Sequence, residues 1–555
     1  MSDHGNLSAW IFESARRHGD AQRPALTQGE RSVSYASLED TVAKLAGALR
    51  ELGLVEGERV AIVMRDTIEA VTSILGVIHC GGVAVPLSEL ATADDLVEHL
   101  VQCEAAMVIV DPEHREVIDS ARAGASKLRH VLALGSRGSR STSEHDLSAQ
   151  IARAAPIPAV VRAATAPCLM LYSAGPALTA ARGIGHSAQT IAAAHDSAGL
   201  RFLEMGPADR VLSVARLSTA YGLGVGLLFP LAAGAQVLMF PAQPKSESLY
   251  AAIAAFGPTL LFATPSIYGQ LVQDAGSRQR PLAGLRAAVA GAESMPDQLI
   301  PRIRSVLGTE VTVGYGLTEI FQFALGGRSD DPGIRAAVCG RPLPDVETRL
   351  VDEDGRQVGV DEIGTLQLRS PSLAGSLAAS LAGSPGASLA GSPGASLAGS
   401  PGDHEEVPAG ARGLGSDGWF TTGDRFMVDT AGNYSHCGRV DDLFKVGGKW
   451  VSPVEVERAL TAHEAVWECA VIGAQDEHGL IKPLAFVVPN VGHAGDAGLV
   501  AELQEYVKQV LAPYKYPRWI EFVDALPRGP GGKVLRYRLQ PRRRRRPAET
   551  GQEDT

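Results

Sequence analysis

The chain has 555 residues, with 51 basic and 62 acidic side chains and a formal net charge of −11. Apolar residues make up 45% and charged residues 20%, an ordinary balance for a globular protein. The length calls for at least two domains, and the acidic balance argues against a general nucleic-acid binder, which needs basic surface.

The N-terminus, MSDHGNLSAW, has no basic region followed by an apolar stretch, so no secretory signal is expected and the expected location is cytoplasmic. Ser37 with Asp40 reads as a capping box. Leu38, Val42, Leu45, Leu49 and Leu52 then recur every three or four residues until Gly53, which predicts an amphipathic helix. RVAIVM (59–64) reads as a buried strand. A helical pattern runs on to Cys80, and the strand VAVPL (83–87), another helix and the strand AMVIV (106–110) follow. Such alternation predicts a mostly parallel sheet covered by helices.

Residues 217–244 and 248–273 carry no charge over lengths that could span a bilayer, apart from the prolines and glycines that interrupt them. Their expected form is buried strands and turns of a large α/β core, with no membrane span. The six cysteines are scattered, without zinc or CxxC spacing, and are expected to be reduced. Residues 379–402 hold three copies of ASLAGSPG, a composition that cannot build a core and predicts a surface insertion. The tail 541–555, with a run of arginines and an acidic end, is expected to be disordered.

Four segments of the second half stand out: VGYGLTEIFQF (313–323), DGWFTTGDRFMVD (417–429), GRVDDLFKVGGKWVSPVEVE (438–457) and PYKYPRWIEFVDALPRGPGGKVLRYRL (513–539). In this order and at these separations they resemble the adenylate-forming superfamily of acyl-CoA synthetases, adenylation domains and luciferases. The wording KVGGKWVSP, YKYPRWIEFVD and AYGLG (220–224) looks most like its benzoate–CoA ligase group. The resemblance covers roughly residues 7–540. It implies an α/β fold: a large N-terminal adenylate-forming domain of stacked βα sheets over residues 1–438, and a small α+β C-terminal domain over 439–540, joined by a hinge.

The resemblance also implies the chemistry. A carboxylate attacks the α-phosphate of ATP, pyrophosphate leaves, and the thiol of coenzyme A displaces AMP from the acyl-adenylate. ATP, Mg2+ and coenzyme A are the expected cofactors, and a small aromatic acid the expected substrate. Lys533, on a GPGGK loop with Arg536 and Leu539 at the family spacing, matches the lysine bridging substrate carboxylate and α-phosphate. Thr318 and Glu319 match the pair contacting phosphate and magnesium, with Glu319 the metal ligand; oxygen donors suit a hard cation. Gly314 and Gly316 would shape the turn presenting them. Asp424 matches the acceptor for both ribose hydroxyls, and Arg439 an arginine that reaches the nucleotide. Asp441 matches the hinge, and Gly447 and Gly448 a loop brought toward the pantetheine arm. Tyr221, Gly222, the turn Ala290–Gly291–Ala292, Ile320 and Gln322 are acyl-pocket candidates; small residues beside an aromatic would leave a flat slot for a ring.

The phosphate-binding loop departs from the family pattern, a Ser/Thr/Gly-rich run ending in Lys-Gly with a histidine a few residues on. Here it reads YSAGPALTAARGIGHS (172–187). Ser173 and Gly175 remain. Pro176, Ala177 and Leu178 stand where hydroxyls and a glycine belong, and Arg182 replaces the lysine, followed by Gly183 and, after one inserted residue, His186. Proline offers no N–H to a phosphate, and a guanidinium grips phosphate with a different geometry from an ammonium. Gln322 also stands where aryl-type members often carry histidine. The leading expectation is an ATP-dependent aryl-CoA ligase. Two alternatives are an aryl-adenylating enzyme that loads an acyl carrier protein and a non-catalytic adenylate-binding protein with a degenerate loop.

Overall fold

The computed structural model describes residues 5–122, 124–135, 143–173, 182–274, 284–293, 295–296, 298–331, 333–334, 338–374, 412–440, 442–447, 449–476, 479–528 and 534–539. The ASLAGSPG repeats and the 541–555 tail lie outside these. The chain divides into two compact units, one running to His436 and one beginning at Cys437.

The first unit contains two large sheets. The smaller has seven strands in the order Glu144–Asp146, His130–Ala133, Met107–Val110, Arg59–Val63, Val83–Pro86, Pro167–Ser173 and Arg182–Ser187. Its pairings are parallel except the last. The larger sheet has a parallel core of Pro24–Gln28, Gln236–Leu238, Arg210–Ser213, Leu260–Ala263, Ala287–Ala290 and Val311–Leu317. It continues through antiparallel strands that include Gln322–Arg328, Ile363–Arg369 and Phe420–Val428. Strands such as Val108–Val110 and Leu260–Ala263 are buried throughout, as the uninterrupted apolar runs require of a sheet covered on both faces.

The Tyr35–Glu51 helix buries Leu38, Val42, Leu45 and Leu49. Its cap is Ser34, whose hydroxyl accepts from Ser37 N–H, not Ser37 itself. The buried Tyr35 hydroxyl donates to the carbonyls of Leu231 and Ala235, which anchors an extra first turn. A second difference concerns the uncharged segments, which are largely helical: Tyr221–Leu228 forms π-helical turns, and Phe229–Ala232, Ser246–Phe256 and Pro265–Asp274 are α-helices. Between Gly222 and Leu228 every residue is buried, so no polar face existed to mark a helical period. Among the described residues no helix is long and apolar enough to cross a membrane.

The second unit contains the hairpin Phe444–Val446/Lys449–Val451, the strands Val466–Gln475, Ile481–Pro489 and Trp519–Phe522, and the helices Pro453–Thr461 and Ala497–Val510. Its core gathers Val451, Val456, Leu460, Val471, Val487, Leu503 and Val507.

Candidate active site

The Val311–Leu317 strand ends in a tight turn, Thr318–Ile320, and returns as Gln322–Arg328. Phe321 closes the turn in the left-handed region, at φ 57°. Gly316 is required by space: a Cβ there would lie 2.4 Å from the Gln322 carbonyl oxygen. The turn holds Glu319 at 2% exposure. Its Oε2 accepts from Arg412 at 2.6 Å, and its carbonyl accepts from Ala374 N–H at 2.8 Å.

Asp424 lies in the Phe420–Val428 strand, 5% exposed. Its Oδ2 accepts from the Tyr315 hydroxyl at 2.7 Å, and its Oδ1 lies 3.5 Å from His436 Nε2. Thr422 Oγ1 accepts from the Asp424 N–H and donates to the Leu366 carbonyl, fixing the bend after Gly423. Burial, and then the Asp424 charge, push the Tyr315 phenol well above its usual range, so it remains a donor across the working pH range. Arg412 interacts electrostatically with Glu319, Asp424 and Tyr315 together. The turn glutamate and the TTGD aspartate therefore share one cation and belong to one buried cluster. Neither Arg412 nor Tyr315 was singled out from the sequence. Arg412 follows the repeat-rich segment with no motif around it, whereas Tyr315 lies inside the motif whose Thr318 and Glu319 carry the resemblance.

Removing Arg412 leaves Glu319 buried and unpaired. Arg412→Ala is expected to destabilise the protein by about 3 kcal/mol, read as a lower denaturation midpoint. Adding Glu319→Gln should recover most of that loss. Independent, additive effects of the two changes would show that the pair is not coupled.

Of the acyl-pocket candidates, Tyr221 and Gly291 converge on Phe323, as does Gly314 of the neighbouring strand: the Tyr221 and Phe323 ring centroids are 5.6 Å apart, and Cβ atoms at Gly291 and Gly314 would meet the Phe323 ring at 2.9 and 2.5 Å. The Tyr221 hydroxyl donates to the Val289 carbonyl at 2.9 Å, which ties it to the Ala287–Ala290 strand. Ala292 has φ 69° and turns the chain after Ala290 and Gly291. Gly222 packs against the Arg216 backbone, and Ile320 is fully buried. Neighbouring strand residues face opposite sides, and Gln322 Nε2 donates to Ser372 Oγ at 2.8 Å.

Ser173 and Arg182 pair at the open end of their hairpin, and Gly183 pairs with Tyr172. Gly175, with Pro176, Ala177 and Leu178, lies outside the described residues. His186 is fully buried, beside the Thr318 backbone. Its ring lies 4.8 Å from Phe321. Burial, partly opposed by the Thr318 backbone, pushes it down to about 4, so the imidazole is neutral at pH 7. In the second unit, Arg439 ends the Tyr434–Arg439 strand. Gly447 turns the Phe444–Val451 hairpin at φ 56°, and Arg536 is held bidentately by Glu457. Asp441, Gly448 and Lys533 lie outside the described residues.

Among the described residues no group of three or more His, Cys, Asp or Glu side chains is gathered for a metal. One carboxylate plus a substrate's phosphates is nevertheless a common magnesium arrangement, and Glu319 fits the carboxylate's part.

The AMP-binding enzyme family matches residues 11–377, and the AMP-binding enzyme C-terminal domain matches residues 455–533. The chain is similar to the benzoate–CoA ligase of Thauera aromatica, 32% identical over 92% of this chain and 90% of that one. It is also 32% identical to the 4-hydroxybenzoate–CoA/benzoate–CoA ligase of Rhodopseudomonas palustris, over 94% of this chain and 91% of that one. Among solved structures, a benzoate CoA ligase from Burkholderia xenovorans has 30% identity and a TM-score of 0.82, covering 96% of this chain and 99% of its own. An anthranilate CoA ligase in complex with anthranoyl-AMP has 29% identity and the same TM-score, with 96% of each chain covered.

Proposed function

The chain belongs to the AMP-binding enzyme family, and on that premise we propose that it is an ATP-dependent aryl-CoA ligase acting on benzoate or a substituted benzoate. The observation that supports this reading is that one hairpin borders two side-chain clusters. Its turn holds Glu319 in the polar cluster with Arg412, and its strands hold Tyr315 on Asp424 and Phe323 in the aromatic wall with Tyr221. A nucleotide and a ring acid bound there would meet at the Thr318–Ile320 turn.

In this reading the acid's carboxylate oxygen bonds to the α-phosphorus of ATP as the bond to pyrophosphate breaks. The thiol of coenzyme A then attacks the acyl carbon, and AMP leaves with the bridging oxygen. Most of the protein's task is to bring two anions together and neutralise the charge between them. Asp424 holds the ribose hydroxyls, with Tyr315 fixing its carboxylate. Glu319 would hold the magnesium ion that travels with ATP, and the ion would supply charge neutralisation at the phosphates. Thr318 contributes a hydroxyl beside it, and Ser173, Gly175, Arg182 and Gly183 border the triphosphate. Lys533 bridges the two reacting anions during adenylation. Rotation about Asp441 then withdraws Lys533 and brings Gly447 and Gly448 to the thiol, while Arg439 reaches the nucleotide. The Tyr221–Phe323 wall, with Gly291, receives the ring.

The altered loop gives a separate prediction. Restoring glycine and hydroxyl residues at positions 176–178 adds backbone and side-chain donors for phosphate. It is expected to lower the KM for ATP by about tenfold, the effect of one charge-assisted hydrogen bond, without changing the KM for the ring acid. An unchanged KM for ATP would show that the loop does not touch the triphosphate.

The reading as a whole is tested by incubating the protein with ATP, magnesium, coenzyme A and a panel of benzoates, and following AMP and aryl-CoA by mass spectrometry. Aryl-CoA from one or two ring acids is the expected product. Acyl-adenylate without aryl-CoA would move the acceptor to a carrier protein. Binding of AMP with no product at all would leave only an adenylate-binding protein.

A further inference from the structure

Away from the nucleotide cluster, three charged side chains meet in the interior of the first unit. Asp66 follows the Arg59–Val63 strand and Glu89 follows the Val83–Pro86 strand, both in the seven-stranded sheet. Arg216 follows the Arg210–Ser213 strand of the larger sheet. Their exposures are only 8%, 9% and 8%. Arg216 Nη1 lies 3.3 Å from Asp66 Oδ2, and Arg216 Nε lies 3.2 Å from Glu89 Oε1. Asp66 Oδ1 accepts from the Leu217 N–H at 3.1 Å. Two carboxylates of one sheet thus hold the guanidinium and backbone of a loop on the other.

That loop leads directly to the aromatic wall. The Arg216 carbonyl accepts from Thr219 N–H at 3.0 Å and Thr219 Oγ1 at 2.8 Å. Thr219 Oγ1 in turn accepts from the Gly222 N–H at 3.1 Å. A Cβ at Gly222 would stand 2.3 Å from the Arg216 carbonyl oxygen, so the start of the π-helical turns is pressed onto the Arg216 backbone. Tyr221 sits between these contacts. A buried ion pair is often no more stabilising than an apolar substitute. What it supplies here is direction, because the guanidinium and the Leu217 N–H can be satisfied in only one loop position.

We propose that the buried Asp66–Arg216–Glu89 triad is a positioning device that sets Tyr221 and Gly222 against the ring acid, and so governs affinity for the acid and not for ATP. The inference rests on the proposed aryl-CoA ligase reading for its substrate. One guanidinium cannot neutralise two carboxylates, and burial, only partly offset by Arg216, pushes Asp66 up to about 6. The groups around the triad are Arg65, Asp111 and His114. Asp111 accepts from the Arg65 N–H at 2.7 Å, and His114 Nε2 lies 3.0 Å from the Glu89 carbonyl oxygen. The charged form of Asp66 holds the loop, so affinity for the acid weakens as pH falls through about 6.

Asp66→Asn keeps the shape and removes the charge. It is expected to raise the KM for benzoate about tenfold, the effect of losing one charge-assisted hydrogen bond, with the KM for ATP within about twofold of wild type. The acid-side limb of kcat/KM for benzoate should disappear with it. Glu89→Gln removes the like charge beside Asp66 and should shift that limb to lower pH, a readout available even if Asp66→Asn folds poorly. Equal rises in both KM values, or a limb that neither variant moves, would overturn the positioning role. If wild-type protein makes no aryl-CoA, the ligase reading fails first. Calorimetric binding of benzoate to wild type and Glu89→Gln at pH 5.5 and 7.5 then decides the triad alone: pH-dependent affinity altered by Glu89→Gln supports it, and identical behaviour overturns it.

Discussion

Lys533→Ala is expected to lower acyl-adenylate formation about 100- to 1000-fold, the usual cost of removing one group that stabilises charge only in the transition state. Two anions must approach within bonding distance, and a cation between them is worth far more there than when each is bound alone. The KM values for ATP and acid should therefore change little while kcat falls. The second half-reaction needs no such bridge, since the thiol attacks an acyl group already carrying its leaving group. Supplied benzoyl-adenylate should therefore still be converted to benzoyl-CoA at a rate close to wild type. Pyrophosphate release during adenylation, measured beside thioester formation from the adenylate, separates the two steps. Normal adenylation by Lys533→Ala would remove Lys533 from the mechanism.

Asp424→Asn is expected to raise the KM for ATP about 10- to 100-fold, and to weaken AMP binding equally. The side chain keeps its shape, but one of its two acceptor oxygens becomes a donor. It then faces the Tyr315 hydroxyl, 2.7 Å from Asp424 Oδ2, which burial and the neighbouring charge have kept protonated. Either the amide turns its oxygen to Tyr315 and offers N–H groups toward the ribose, or Tyr315 loses its acceptor. Both outcomes cost a buried hydrogen bond to a charged group, about 1.5–3 kcal/mol. The loss is uniform binding energy, so kcat at saturating ATP should fall much less than kcat/KM. Calorimetric titration with AMP gives the same quantity without turnover. Unchanged AMP affinity would show that Asp424 does not hold the nucleotide.

What could be read directly in the chain was local. GYGLTE and TTGD are short motifs of adjacent residues, and the family resemblance they carry is what marks Gly316, Glu319 and Asp424. The parallel sheets were legible because a strand buried on both faces is an unbroken apolar run. Long-range partners left no such trace. Arg412 meets Glu319 across 93 positions, Tyr315 meets Asp424 across 109, and Asp66 meets Arg216 across 150. None of these pairings has a spacing that a sequence can display. The Tyr221–Leu228 turns were hidden differently, since a helix buried all round has no amphipathic period. The bond from Gln322 to Ser372, 50 positions away, is another contact with no trace in the motif itself.

In the proposed reaction a ring carboxylate becomes an acyl-adenylate before it meets the thiol. That order is tested most directly by supplying benzoate labelled with 18O in both carboxylate oxygens, together with ATP, magnesium and coenzyme A, and weighing the products. The carboxylate oxygen that attacks the α-phosphorus stays on it when the thiol displaces AMP. The expected products are AMP carrying one 18O atom and benzoyl-CoA carrying one. Unlabelled AMP, with 18O found instead in phosphate or pyrophosphate, would contradict that order.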